Sequence, residues 1–351
     1  MSAGGAFDAL LGALRGELPA VRLWTAVIEL ANRSWLTPAL LSAFAASGRL
    51  GELPADVREY LNFIHDRNRE RNLRLRSQLQ EAVAALNRAG LRPILLKGAV
   101  MLFTAPETAI GNRMMSDLDL LVEESDRTAA EAALALLGYR QAAGLHGVWR
   151  PQDAGMLELH ACAGVVAECG SGRAAAQLFE RCQDGATALL PSPTLRALNL
   201  IEHDQIKEGD YWRGCIDLRH LRDLAELSAM PGGIDWAYLR AALPGRLQRN
   251  ALETQALTLH GLFGVPVPET MRRRLVPRLQ HWRRMAQIRH PTLAAPLHFA
   301  GATAWILRRI RTKDRPEFTM SDILPRIWRK LRQGRRKTAE ALMGIHLGPK
   351  L

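Results

Sequence analysis

Apolar residues recur every three or four positions through much of the first 90 residues. From Arg58 to Ala89 they fall at Leu61, Ile64, Leu73, Leu79, Val83 and Leu86, one face of a long helix. Gly90 follows as a C-terminal stop. The pattern then changes. Arg92-Pro-Ile-Leu-Leu-Lys97 is a short apolar run that reads as a buried strand, Gly98 breaks it, and Ala99 to Phe103 opens a short helix. Gly111 with Asn112-Arg113 makes a loop, and Asp117 to Val122 is a second strand. Ser125-Asp126 is placed to cap a helix from Arg127 to Leu137, which Gly138 ends. Gly147 to Arg150 and Met156 to His160 read as further strands around the turn Pro151 to Gly155. After Gly172 a helical pattern returns, with Thr194–Lys207, Tyr211–Leu227, Asp235–Leu243 and Arg249–Leu262 as helices. Gly264, Pro266 and Pro268 punctuate their end.

These periods predict an α+β protein, a small mixed sheet embedded in a mainly helical chain. The expected segments are a helical region over 1–90, an α/β core over 91–165, a helical domain over 166–270 and a basic helical extension over 271–351. The 351 residues are 48% apolar and 23% charged, ordinary globular values that exclude a disordered or fibrous chain. No apolar run reaches the roughly 18 to 20 residues a membrane span needs. Met1 to Leu14 contains Asp8 and has no basic stretch ahead of its apolar residues, which argues against a signal peptide. Cys162, Cys169, Cys182 and Cys215 form no CxxC pair, as expected of free thiols in a reducing, cytoplasmic setting.

The net charge of +12 is unevenly placed. Met271 to Leu351 holds 20 Lys+Arg against 4 Asp+Glu, while the preceding 270 residues hold 27 against 31. The basic surplus, including Arg308, Arg309, Arg311, Arg326, Arg329, Arg332, Arg335 and Arg336, could attract an anionic partner such as nucleic acid, or form a solvated helical surface.

Chemistry concentrates in Ser116-Asp-Leu-Asp-Leu-Leu-Val122. Residues two apart on a strand share a face, roughly 6 to 7 Å apart. Two carboxylates so placed repel unless a cation lies between them, and hard cations such as Mg²⁺ prefer oxygen ligands and phosphates. Leu118, Leu120 and Val122 occupy the opposite face. A strand ending at Lys97-Gly98 precedes the pair. Gly98 allows close backbone approach, and a helix start offers N–H groups to phosphate. Glu158 follows on a later strand and shares a face with His160. Three carboxylates from two strands suit two metal ions.

Leu95-Leu-Lys-Gly-Ala99, Asn112-Arg-Met-Met-Ser-Asp-Leu-Asp-Leu-Leu-Val122, Gly138-Tyr139 and Leu157-Glu-Leu-His160 together resemble an uncharacterised nucleotidyltransferase family of the DNA polymerase β-type superfamily. His203, Tyr211-Trp212, Asp217-Leu218 and Ile234-Asp-Trp236 follow in that family's order, so the resemblance runs from about Leu50 to Gly264. It implies transfer of a nucleoside monophosphate from an NTP, ATP above all, to an unidentified small molecule, peptide or protein, with Mg²⁺ or Mn²⁺ as cofactor. Asp117 and Asp119 match the metal-binding acids, and Glu158 the third acid. Lys97, Gly98 and Ala99 stand at the phosphate turn, where Ala99 replaces a residue whose hydroxyl often touches phosphate. Arg113 and Ser116 are candidate phosphate groups. The rival expectation is a nucleic-acid-binding or tRNA-modifying protein that uses the basic C-terminal region, its transferase site altered. His160, His203 and Asp217 could orient or accept protons, and Trp212 and Trp236 could stack on a base; all five could equally be packing residues.

Overall fold

The computed structural model describes residues 3–141, 147–162 and 178–311. The helices are α1 (Ala3–Ala13), α2 (Trp24–Arg33), α3 (Thr37–Ala46), α4 (Ala55–Arg88), α5 (Lys97–Thr104), α6 (Arg127–Leu136) and α7 (Pro193–Ile201), then α8 (Asp210–Arg213), α9 (Leu218–Ala229), α10 (Trp236–Ala242), α11 (Arg246–Phe263), α12 (Leu275–Arg289) and α13 (Pro291–Arg311). The strands are β1 (Ile94–Leu95), β2 (Asp117–Glu123), β3 (Arg140–Gln141), β4 (Val148–Trp149), β5 (Met156–Cys162), β6 (Leu178–Gln183) and β7 (Ala186–Pro191). The architecture is α+β, and the chain divides into two compact units. One is Trp35–Asn199; the other joins Met1–Ser34 to the chain from Leu200 onward.

All the described strands lie in the unit Trp35–Asn199, in one mixed sheet ordered β3-β4-β5-β2-β1-β7-β6. β2 and β5 run parallel at its centre, with Asp117 opposite Met156 and Asp119 opposite Glu158. β1 is antiparallel to β2 and parallel to β7. One face of β2, Leu118, Leu120 and Val122, packs into a core with Leu157 and with residues of α4, α5 and α6. The acids take the other face.

The buried stripe of α4 runs Leu61, Asn68, Asn72, Leu75, Leu79, Ala82 and Leu86, spaced by three, four or seven as one helical face demands. Its two asparagines interrupt an apolar row because they receive a loop. Asn68 donates to the carbonyls of Gly111 and Arg113, and Asn72 to those of Ile110 and Arg113. Arg71 on the same helix donates to Met115, Ser116 and Ala154. A buried amide with no partner is costly, so these bonds fix the loop before β2 and the turn before β5 together. Gly155 sits in that turn. A β-carbon there would stand 2.6 Å from the Ser116 carbonyl oxygen and 2.7 Å from Leu75 Cδ2. Gly155→Ala is expected to cost about 1–3 kcal/mol by overpacking, read as a lower urea midpoint at unchanged slope.

The expected helix after Gly172 is corrected for residues 178–191, which form the β6–β7 hairpin. Leu178–Gln183 is mostly exposed and Ala186–Pro191 rich in alanine, so neither carries an alternating apolar pattern. Asn87 of α4 pins β7 by donating to the Thr187 carbonyl and accepting its N–H. The expected cap at Ser125-Asp126 is also corrected: Asp126 holds the N-cap position of α6, but its side chain makes no capping bond.

The single helix expected over Thr194–Lys207 is found as α7, most of which belongs to the Trp35–Asn199 unit, followed in the other unit by a π-helical turn, Glu202–Lys207. The helix expected from Tyr211 breaks at Gly214, whose φ is +73°. Asp217 is the N-cap of α9 and accepts the His220 N–H at 3.0 Å.

Candidate active site

The site is built where β1 hands the chain to α5. Lys97 has φ +45°, a left-handed conformation that costs a side-chain-bearing residue roughly 1 kcal/mol or more. The turn carries its ammonium to the acidic sheet face, where Nζ donates to Asp119 Oδ1 at 2.8 Å. The Leu96 N–H donates to the Asp119 carbonyl, so backbone and side chain both tie the turn to β2. Gly98 follows because space is short. A β-carbon would lie 2.7 Å from Arg113 Nη1 and 3.0 Å from Met115 Sδ. The Arg113 guanidinium thus lies over the Gly98 backbone.

Asp119 is 1% exposed. Its Oδ1 also contacts His160 Nε2 at 3.0 Å, and that nitrogen is 3.7 Å from Glu158 Oε2. Burial opposes the Asp119 charge, but the His160 hydrogen bond and the Lys97 ammonium outweigh it and hold the carboxyl at about 2. Glu158 moves the other way: burial, then the charges of Asp119 and Asp117, raise its proton affinity. Lys97 loses to burial and gains more from Asp119, a net upward shift. Ser116 Oγ donates to Asp117 Oδ1 at 3.1 Å.

Asp117 and Asp119, and Glu158 and His160, each share a face as strand alternation predicts; the parallel register puts the two pairs on one face, and the turn adds Lys97 to it, with Gly98, Arg113 and Ser116 at its margin. Ala99 is fully buried in the core, and its N–H donates to the Leu96 carbonyl. The other candidates lie in the second unit. His203 and Asp217 are grouped there with Asp204 and His220. Trp212 and Trp236 are half-buried, Trp212 edge-on to Tyr211 with ring centroids 5.6 Å apart. Asn68 shows in the sequence only as a polar residue within the apolar stripe of α4, and Arg71, off that stripe, carries no such signal. Residues 312–351, with 10 Lys+Arg and 4 Asp+Glu and including Arg326, Arg329, Arg332, Arg335 and Arg336, lie outside the described residues.

The carboxylate oxygens of Asp117, Asp119 and Glu158 suit a hard divalent cation, whereas the His160 nitrogen beside them is not a ligand such an ion prefers. Ligand atoms of Asp119, Glu158 and His160 lie within 4.8 Å of one another, and Asp117 adds a third carboxylate to the face. Burial first, and then the neighbouring charges of Asp119 and Asp117, raise the proton affinity of Glu158, while Lys97 and His160 act against them.

Among the described residues no helix is long and apolar enough to cross a membrane. No curated protein and no solved structure gives a significant match. The family profile described as uncharacterised nucleotidyltransferase matches residues 21–263, starting nearer the N-terminus than the sequence motifs alone indicate. With its acidic pair, third acid and Lys-Gly turn inside that span, the chain belongs to the uncharacterised nucleotidyltransferase family.

Proposed function

We propose that the protein transfers a nucleoside monophosphate from an NTP, with ATP the first candidate, to a hydroxyl or other nucleophile on a small molecule, peptide or protein. The acceptor atom bonds to the α-phosphorus, the α–β bridging bond breaks, and pyrophosphate leaves. The observation that carries this reading is the convergence of Asp117, Asp119 and Glu158 on one face beside the strained Lys97-Gly98 turn. Asp117, Asp119 and Glu158 would hold Mg²⁺ or Mn²⁺, which when bound neutralises the triphosphate and polarises the reacting phosphate. Lys97 and Arg113 supply positive charge at the turn, and Gly98 lets the backbone approach the phosphates. Glu158 completes the metal site or, where the metal is held by Asp117 and Asp119, acts as the base that takes the acceptor's proton.

Calorimetric titration of each Mg-NTP into wild type and Asp117→Asn tests this without knowledge of the acceptor. Metal-dependent binding of at least one NTP is expected, weakened roughly 10- to 100-fold in Asp117→Asn. Equal binding by both proteins, or none by folded wild type, would sink the proposal and favour the rival binding-module reading.

A further inference from the structure

A second convergence of metal-ligating groups lies in the unit that includes the chain from Leu200 onward. His203 and Asp204 are adjacent on the π-helical turn, and His220 is in the first turn of α9. His203 Nδ1 is 3.0 Å from Asp204 Oδ1. His220 Nδ1 is 2.9 and 3.0 Å from the two Asp204 oxygens. Asp217 Oδ2 is 3.5 Å from the same His220 nitrogen, its Oδ1 being spent on the α9 cap. Asp204, His220 and most of Asp217 are withdrawn from solvent, while the His203 side chain is 30% exposed and gives access.

Helical neighbours in sequence normally diverge. Here the widened turn brings His203 and Asp204 to one point, and π-turns are frequent at functional sites. Two Nδ1 atoms aimed at one buried carboxylate, with a second carboxylate alongside, make a mixed nitrogen–oxygen set. Such a set favours Zn²⁺ and its first-row neighbours over Mg²⁺, which prefers oxygen alone. We propose that His203, Asp204, His220 and Asp217 form a binding site for a transition-metal dication of the Zn²⁺ type. On binding, each neutral imidazole gives up its Nδ1 proton and holds one on Nε2 instead, with no net proton release, and Arg219, whose Nη2 is 3.1 Å from His220 Nε2, turns away.

The test is equilibrium dialysis of the full chain, stripped with chelator, against Zn²⁺ in excess Mg²⁺, added to compete for the carboxylate site. Circular dichroism checks the fold of each variant. One equivalent of Zn²⁺ is expected on wild type and on Asp117→Asn. The partly exposed His203→Gln and the rim variant Asp217→Asn should each weaken binding at least about tenfold. Failure of wild type to hold Zn²⁺, or Zn²⁺ retained undiminished by folded His203→Gln and Asp217→Asn, would overturn the site. Loss of Zn²⁺ in Asp117→Asn alone would overturn it too, by assigning the metal to the sheet.

Discussion

Asp119→Asn is expected to lower the stability of the Trp35–Asn199 unit by about 3–5 kcal/mol, the cost of leaving one partner of a buried ion pair uncompensated. Lys97 is that partner. Its ammonium sits 2.8 Å from a carboxylate whose side chain is 2% exposed, and its own side chain is 16% exposed. Asparagine keeps the shape and removes the charge, so Lys97 loses its ion-paired carboxylate and keeps only the weaker attraction of Asp117 and Glu158 against the burial penalty. Asp117→Asn lacks this consequence because Asp117 is half-buried and makes no such pair with Lys97; its stability should stay within about 1 kcal/mol of wild type. Urea unfolding of the two variants separates the roles: both carboxylates serve the proposed site, while Asp119 also holds the fold. The sign of the pH dependence follows. The Asp119 carboxyl titrates near 2 when folded against an ordinary 3.8. A depressed carboxylate contributes stability that is full above the ordinary value and lost as pH falls through the folded one. Wild type should therefore lose a contribution of about 2 kcal/mol between about pH 4 and pH 2. Asp119→Asn should lack that slope. A variant as stable as wild type at neutral pH would show that Lys97 finds another partner or rotates into water.

The features legible in the sequence are those written locally. The period of α4, the Gly90 stop and the alternation in Asp117–Val122 each predict the element found. Because β2 and β5 are central strands, alternation also places Asp117, Asp119 and Glu158 on faces correctly, and parallel register then sets Asp119 beside Glu158. What is not legible depends on distant partners. β1 is only two residues long and exists through pairing with β2 and β7. The β6–β7 hairpin lacks an apolar alternation and is held by Asn87, roughly 100 positions away. Lys97 shows the same limit at the site: a strand ending in Lys-Gly predicts a turn, but the left-handed φ that delivers Lys97 to Asp119 is a product of tertiary constraint. His160, readable first as a hydrogen-bonded strand histidine, meets Asp119 at 3.0 Å because β5 is registered against β2.

Arg150→Met is the second change with a large expected effect, about 3–5 kcal/mol of lost stability. Arg150 follows β4, and its guanidinium is almost fully committed. Nε and Nη2 grip the two oxygens of Asp153, each at 2.9 Å. Nη2 also reaches Glu81 of α4, and Nη1 donates to the Leu137 carbonyl beyond α6 at 3.2 Å. The group lies over the Tyr139 ring, 4.3 Å from its centroid. One side chain therefore joins the long helix, the end of α6 and the turn that leads into β5. The Arg150 and Asp153 side chains are 7% and 6% exposed, so methionine strands the Asp153 charge in a nonaqueous site. Arg150→Lys should not rescue it, since a single ammonium cannot reproduce the bidentate fork or its stacking on the ring. The double variant Arg150→Met/Asp153→Leu should recover much of the loss, because no buried charge is left without its partner. If the double variant is no more stable than Arg150→Met, the contribution of Arg150 lies in its contacts to Glu81, Leu137 and Tyr139 rather than in compensating Asp153. Either result bears on the site, because the turn after Arg150 is the one Arg71 and Gly155 hold against β2, and its position sets where Glu158 meets Asp119.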